Sequence, residues 1–501
     1  MDSIKHGKKV IGVYSVRNSH GRTEYAINLS AAMAGLIKDK VLFINMDQSC
    51  KAKLNPNIGI DFLNPGRIRK QDINDVKKDY SYIVVNLSSE VNSINELQGS
   101  FDSIHFFVES ERSSLDSARK FLEELIKDGA SEAHDKMKMV VSRLDIFDRF
   151  SLEEISWLIR RDVWDILPES GILEPSVGPE GIPVVVKAHS SEYAKAILRI
   201  AKKETGRLLG LALGSGAAFG IAHIGVFRVL EKNNIPIDIM SGSSIGALMA
   251  SMWGLGMSSD EIERIAGKLK SKLNVMKLLD FGMPISGILI GRRLKKFIRS
   301  FLGEKTFEDL KIPVKIMVYD LANRQTFAVE KGLLVEAVYM SIAVPGIFKP
   351  KVDHGRVMVD GGISDPVPVG ALLKQGVKKI IAVNVMPGPE DIYERNMALR
   401  KRAEREKKAM REGSFYVKAR LGLRNALRKL LTPNIFDVIM TSIQSMEYML
   451  AENSCKKANV VLRPVFFDAE ATDFYRVEDF VKQGEKETLS HIEEIKALAE
   501  I

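Results

Sequence analysis

Cysteine is nearly missing from this chain: Cys50 and Cys455 are the only two in 501 residues. They lie far apart with no C-x-x-C or Cys/His spacing, so neither a disulfide framework nor a structural zinc site is expected, and a reducing compartment fits best. Uninterrupted apolar runs are also scarce. One stretch without Asp, Glu, Lys or Arg runs twenty residues, from Leu208 to Phe227. Gly210, Gly214, Gly216, Gly220 and Gly225 punctuate it, which suits strand, glycine loop and helix in succession rather than a membrane span. The segment Met1 to Lys9 is polar and basic, and no apolar stretch long enough for a signal peptide follows, so nothing directs export and a cytoplasmic location is expected. With 45% hydrophobic and 27% charged residues, the composition excludes a wholly disordered, collagen-like or polytopic membrane chain. Two domains, each with a sizeable core, are expected at this length.

The net charge of +9 is confined to one place. Between Glu394 and Leu430 stand thirteen Lys or Arg and four Asp or Glu, which is the entire excess. Any affinity for anions therefore belongs to that segment.

Strand-length apolar runs alternate with helical stretches twice along the chain. The first series has strands at Val10 to Val13, Val41 to Ile44, Tyr82 to Val85, Ile104 to Val108 and Met139 to Val141, with helices at Tyr25 to Ile37 and Leu115 to Ile126. The second begins after residue 205 and has strands at Leu208 to Leu213, Ile237 to Met240, Val314 to Val318, Val357 to Val359 and Ile380 to Val385. This is an α/β pattern of two tandem three-layer α/β/α domains, residues 1–205 and 206–501.

Three segments of the second domain carry chemistry. Gly242-Ser243-Ser244-Ile245-Gly246 joins a strand to an apolar helix, the context of a nucleophile elbow, in which flanking glycines let the backbone close up around a central serine. The plainer reading is a glycine-rich helix start. Gly214-Ser215-Gly216-Ala217-Ala218-Phe219-Gly220 also lies between strand and helix, where small residues leave backbone N–H groups free to converge on an anion such as the oxyanion of acyl transfer. A phosphate loop or a tight turn has the same spacing. Asp360-Gly361-Gly362 places a carboxylate at the end of a strand, where open α/β sheets build their sites, or else makes a turn.

A serine nucleophile needs a base. Of the eight histidines, only His491 follows the acid in α/β-hydrolase order, and it lies in a polar C-terminal helix. His223 is expected to pack beneath the glycine loop, and His354 to lie in the turn Asp353 to Arg356. A carboxylate base is the simpler choice, with the oxyanion loop supplying much of the catalysis.

These segments resemble the patatin-like phospholipases, most closely bacterial proteins similar to the catalytic domain of neuropathy target esterase. The resemblance spans Arg207 to Ile501 apart from an insertion, and includes Ser341-Ile342-Ala343-Val344-Pro345-Gly346-Ile347-Phe348 and Ala458-Asn459-Val460-Val461-Leu462-Arg463-Pro464. It implies a Ser-Asp dyad of Ser244 and Asp360, an oxyanion hole from the amides of Ser215, Gly216 and Ala217, and motif glycines at 214, 220, 242, 246, 361 and 362. The implied reaction is hydrolysis of a phospholipid or lysophospholipid ester through an acyl-enzyme, without metal or cofactor. One position departs from the family: Phe219 stands where an Arg or Lys usually precedes the last loop glycine. That departure leaves open a silent domain serving regulation.

The first domain is similar to the MinD/ParA-type P-loop ATPases over about 200 residues, at Ser15-Val16-Arg17-Asn18-Ser19-His20-Gly21-Arg22-Thr23 and at the strands that follow. Both lysines of that loop are arginines here, Arg17 and Arg22. The acidic positions for water and magnesium are Asn45 and Asn86, so nucleotide hydrolysis is not expected. Anion binding through Arg22, or a scaffold for dimerisation or regulation, remains for this domain.

Asp391 to Leu431 is a basic helical insertion. Its first half is charged on nearly every helical face. In residues 414–431, Tyr416, Leu423, Leu427 and Leu430 share one face beside Arg424, Arg428 and Lys429. That pattern is an interfacial helix for the inner face of a membrane, or a helix packed on the catalytic domain. No nucleic-acid partner is expected, because no recognition motif accompanies the charge.

Overall fold

β-Branched and aliphatic runs become strands here because both faces of each sheet are covered, so every residue of a central strand has an apolar surface to meet. The computed structural model of the chain describes residues 8–500 except 17–19, 38, 48–54, 90–93, 95, 128–130, 143–149, 151, 169–180, 283–286, 354, 413–434 and 466–467. It divides into two units, Met1–Arg207 and Leu208–Ile501.

The first unit contains strands β1 (Lys9–Tyr14), β2 (Val41–Asn45), β3 (Ile60–Leu63), β4 (Tyr82–Asn86), β5 (Ser103–Glu109), β6 (Met137–Ser142) and β7 (Val163–Leu167). They pair in the order β3-β2-β4-β1-β5-β6-β7, every pairing parallel. Alternate residues feed two separate cores. Val10, Tyr14, Leu42 and Ile44 join one, with Leu115 and Phe121 of helix Arg112–Lys127. Ile11, Val13, Val41 and Phe43 join the other, with helices His20–Ile37 and Glu192–Thr205. The last helix stops at Gly206, whose φ of 68° supplies the left-handed cap.

The second unit contains β8 (Leu209–Leu213), β9 (Ile239–Ser243), β10 (Val314–Asp320), β11 (Gln325–Val329), β12 (Lys351–Asp353), β13 (Arg356–Asp360), β14 (Lys379–Val383) and β15 (Val460–Leu462). The sheet runs β12-β13-β10-β9-β8-β14-β15, with β11 also on β10. From β10 to β15 the pairing is parallel, whereas β11, β12 and β13 are antiparallel additions. Leu209, Leu211 and Leu213 face one core and Leu208 and Ala212 the other, giving helix-covered faces on both sides. Helices Ala222–Lys232 and Val477–Ser490 cross at the closest range backbones permit. A Cβ on Gly225 would lie 2.1 Å from the Val481 carbonyl, and one on Gly484 2.0 Å from that of Ala222.

β10 decides where the site forms. Val314 to Met317 pair with β9, the last rung joining Met317 to Ser243. From Val318 the partner is β13, the first rung joining Val318 to Asp360. The chain that leaves the sheet after Ser243 and the chain that ends at Asp360 therefore meet one residue apart along one strand.

Candidate active site

Ser244 follows β9 with φ 55° and ψ −123°, left-handed for a non-glycine residue, and then helix Ile245–Gly254 begins. Such a conformation costs on the order of 1–3 kcal/mol and persists only when its surroundings enforce it. Ser341, at the end of helix Leu334–Ser341, is one enforcer. The Ser244 N–H donates to Ser341 Oγ at 2.9 Å, and that hydroxyl donates to the Met317 carbonyl at 2.7 Å. One serine thus completes the ladder at the rung that β9 vacates. Gly246 is the other enforcer, since a Cβ there would sit 2.2 Å from the Leu213 carbonyl oxygen and force the turn off the sheet. Gly242 packs against Gly246 itself.

The Ser244 hydroxyl donates to Asp360 Oδ2 at 2.7 Å. The other carboxylate oxygen, Oδ1, accepts the Gly362 N–H at 2.7 Å, and the Asp360 N–H donates to the Ala343 carbonyl at 3.1 Å. Ser244 is 8% and Asp360 4% exposed. Burial raises the Asp360 pKa to about 7, against the opposing pull of the Ser244 and Gly362 hydrogen bonds. Gly361 presses on the Met317 carbonyl, so the turn after Asp360 is locked to β10.

No histidine reaches this pair among the described residues. His223 is fully buried under the glycine loop, its Nε2 3.0 Å from the Gly214 carbonyl, and burial lowers its pKa to about 4. His491 lies 3.1 Å from the Glu487 carbonyl. His354 falls outside the described residues.

The glycine loop packs over the elbow. Gly220 touches Ile245, and Gly362 lies against the Ser215 hydroxyl. Gly214 donates its N–H to the Val383 carbonyl at 3.0 Å, and Ser215 donates to that of Pro366 at 2.8 Å. The Ser215 amide is therefore engaged, which removes it from the three amides that the sequence nominates for an oxyanion. Those of Gly216 and Ala217 donate no hydrogen bond among the described residues, and Ala217 holds a φ of 49°. Two successive amides without such a bond, on a turn where Gly216 is half-buried and Ala217 exposed, have the arrangement of an anion-binding nest. Phe219 points away into the core, 5% exposed and edge-on to Phe480 with ring centres 5.9 Å apart.

Two further residues escape a reading of motifs. Ser341 belongs to the Ser-Ile-Ala-Val-Pro-Gly segment, whose role is not readable from spacing. Glu447 lies on helix Ile435–Cys455, which packs against the turn Gly361–Ile363. It shares an inward stripe with Ala451 and Cys455, both buried. Burial first, and then the charge of Asp360, raise the Glu447 pKa to about 7. Its one sequence signal is solitude: from Val438 to Ala451 it is the only charged residue. Asp365 is raised to about 6, again by burial.

In the first unit, Arg22 is fully buried and ion-paired to Asp47 Oδ2 at 2.6 Å, with Ser89 Oγ at 2.9 Å and Ser15 Oγ at 3.3 Å. The Asn86 amide donates to Asn45 Oδ1 at 2.8 Å and to Thr23 Oγ1 at 2.9 Å. Arg17, Asn18 and Ser19 lie outside the described residues, as do residues 414–431 of the basic insertion. Helix Pro389–Glu412 covers the insertion's first half. Among the described residues, no helix is long and apolar enough to cross a membrane, and no three His, Cys, Asp or Glu gather to hold a metal.

Residues 211–373 match the family model described as patatin-like phospholipase. An uncharacterized NTE family protein of Mycobacterium tuberculosis is 34% identical over 192 residues, 38% of this chain and 52% of that protein. Neuropathy target esterase sws of Drosophila melanogaster is 32% identical over 191 residues, covering 37% and 13%. The lysophospholipase NTE1 of Candida albicans is 30% identical over 195 residues, covering 38% and 14%. The chain thus spans about half the length of the mycobacterial relative and far less of the others. Among solved structures, a ParA family ATPase from Chlorobium tepidum is similar at 16% identity and TM-score 0.34, covering 39% of this chain and 98% of that one. The MinD cell division protein of Aquifex aeolicus is similar at 21% identity and TM-score 0.33, covering 40% and 97%.

Proposed function

We propose that this chain, with its patatin-like phospholipase domain at residues 211–373, is a serine acylhydrolase acting on acyl esters of phospholipids or lysophospholipids. The observation that carries the reading is the 2.7 Å hydrogen bond from Ser244 Oγ to Asp360 Oδ2, made on a strained turn. Ionised Asp360 takes the hydroxyl proton as Ser244 Oγ attacks the ester carbonyl. Negative charge on the former carbonyl oxygen meets the Gly216 and Ala217 amides, which are already fixed in place. Protonated Asp360 then returns its proton to the departing alcohol, leaving the acyl group on Ser244. Water, deprotonated by the same carboxylate, releases the acid and restores the serine. A carboxyl titrating near 7 accepts a proton far more readily than one at its ordinary value. Lysophospholipids are favoured within the class by the relative named as a lysophospholipase. Such substrates go with a location at the inner face of a membrane.

Reaction with a fluorophosphonate probe, read by intact mass beside Ser244→Ala, tests this. One adduct that depends on Ser244 supports the reading. The absence of an adduct from folded protein turns it to a silent regulatory domain, a reading that the apolar packing of Phe219 favours.

For the first unit we propose a scaffold of P-loop type that has lost its nucleotide. Asp47 already neutralises the Arg22 guanidinium on which a phosphate would rest.

A further inference from the structure

We propose that the outward apolar face of helix Ile435–Cys455 is the surface that docks on an anionic lipid bilayer. This deepens the acylhydrolase reading and rests on it only for its purpose. Met446 and Met449 are 63% and 71% exposed, Val438 and Ile439 are half exposed, and Leu450 lies beside them. Scattered apolar residues on a surface are ordinary, but five on one helix are a patch that calls for a partner. The only charge between Asp437 and Glu452 is Glu447, which is largely buried and stands off the exposed face, so nothing ionic interrupts it.

Charge complementarity identifies the partner. The stretch Glu394 to Leu430, immediately before this helix in the chain, holds the whole +9 excess. Helix Pro389–Glu412 starts against the same helix, because the Tyr448 phenol packs on Gly388, and it exposes Tyr393 near its own start. Apolar side chains inserted among headgroups with cations alongside are the recipe for an interface rich in anionic lipid. A second copy of the chain fits badly, since two such segments repel. Flexible methionines accommodate acyl chains without a fixed complementary shape. The helix also packs on the turn that follows Asp360, so an ester rising from the bilayer arrives at the element that borders the dyad.

The test uses the full chain with vesicles of equal parts phosphatidylglycerol and phosphatidylcholine, with pure phosphatidylcholine vesicles as control, read by co-sedimentation. The parent is expected to bind the anionic vesicles, and Met446→Glu with Met449→Glu to weaken that binding about tenfold or more. Both proteins are expected to hydrolyse a soluble short-chain ester equally, which separates docking from chemistry. If the parent ignores anionic vesicles, or the double variant binds as the parent does, the proposal is overturned. It is overturned as well if light scattering finds a dimer that the double variant dissociates, because a second copy would then cover the face. Failure of the parent on the soluble ester alone strikes the acylhydrolase reading and leaves the docking result intact.

Discussion

Replacing Asp360 with asparagine should make the protein more stable while destroying its chemistry. The substitution keeps the side-chain shape and an oxygen for the Gly362 N–H, and removes a charge that is almost wholly buried. Its pKa is raised from 3.8 to about 7, so the folded chain retains a proton that the unfolded chain has released. The stability this group contributes is complete below its unfolded value and is lost as the pH rises through its folded value. Each pKa unit corresponds to about 1.4 kcal/mol, and the rise over the ordinary value therefore costs the folded state about 4 kcal/mol above both. Urea unfolding of parent and Asp360→Asn across this range should show a gap near zero below about pH 4 that widens to several kcal/mol by about pH 7 and then levels off. Ester hydrolysis should be lost in the variant throughout. A gap that stays constant with pH would refute the idea that burial of this carboxylate is what lifts its pKa.

Four other outcomes are expected. Ser341→Ala leaves the Ser244 N–H and the Met317 carbonyl without their shared partner; it should lower stability by about 2–4 kcal/mol and reduce turnover, seen in thermal unfolding and ester kinetics, and unchanged values of both would count against the bridge. Glu447→Gln removes a charge that opposes ionisation of Asp360, so the acidic limb of kcat/KM against pH should move to lower pH; superimposable profiles would show that the two carboxyls do not communicate. ATP or ADP, with or without magnesium, should leave the melting temperature unchanged, whereas Asp47→Ala, which strands the buried Arg22 charge, should destabilise by about 3–5 kcal/mol in thermal unfolding; a nucleotide-induced rise would reverse the reading of the first unit.

The central strands were legible because their apolar runs are short, β-rich and bounded by glycine loops, as at Val10 to Val13 and Ile380 to Val385. Strands β3 and β11 escaped because they lie at the borders of their sheets and carry exposed residues, as in Ile60–Leu63 and Gln325–Val329. β9 continues through Ser241, Gly242 and Ser243, which carry no strand signal of their own and are held in place by β8 and β10. Ser244 and Asp360 stood out through their glycine neighbours. Ser341 and Glu447 did not, because their importance lies in contacts made across about a hundred residues of chain, which no local spacing encodes. The Ser215 amide is a case of local resemblance overruled by a neighbour, the Pro366 carbonyl.

The meeting of β9 and β13 on β10 makes the site a gauge of folding. A strand that slips by one residue turns its side chains to the opposite face, so a misregistered β10 does not bring Ser244 and Asp360 together in a weakened form; it separates them. Partly correct sheets then have no partial activity. Active serines counted by stoichiometric probe labelling should equal the number of correctly paired chains in any preparation, whatever its history of refolding.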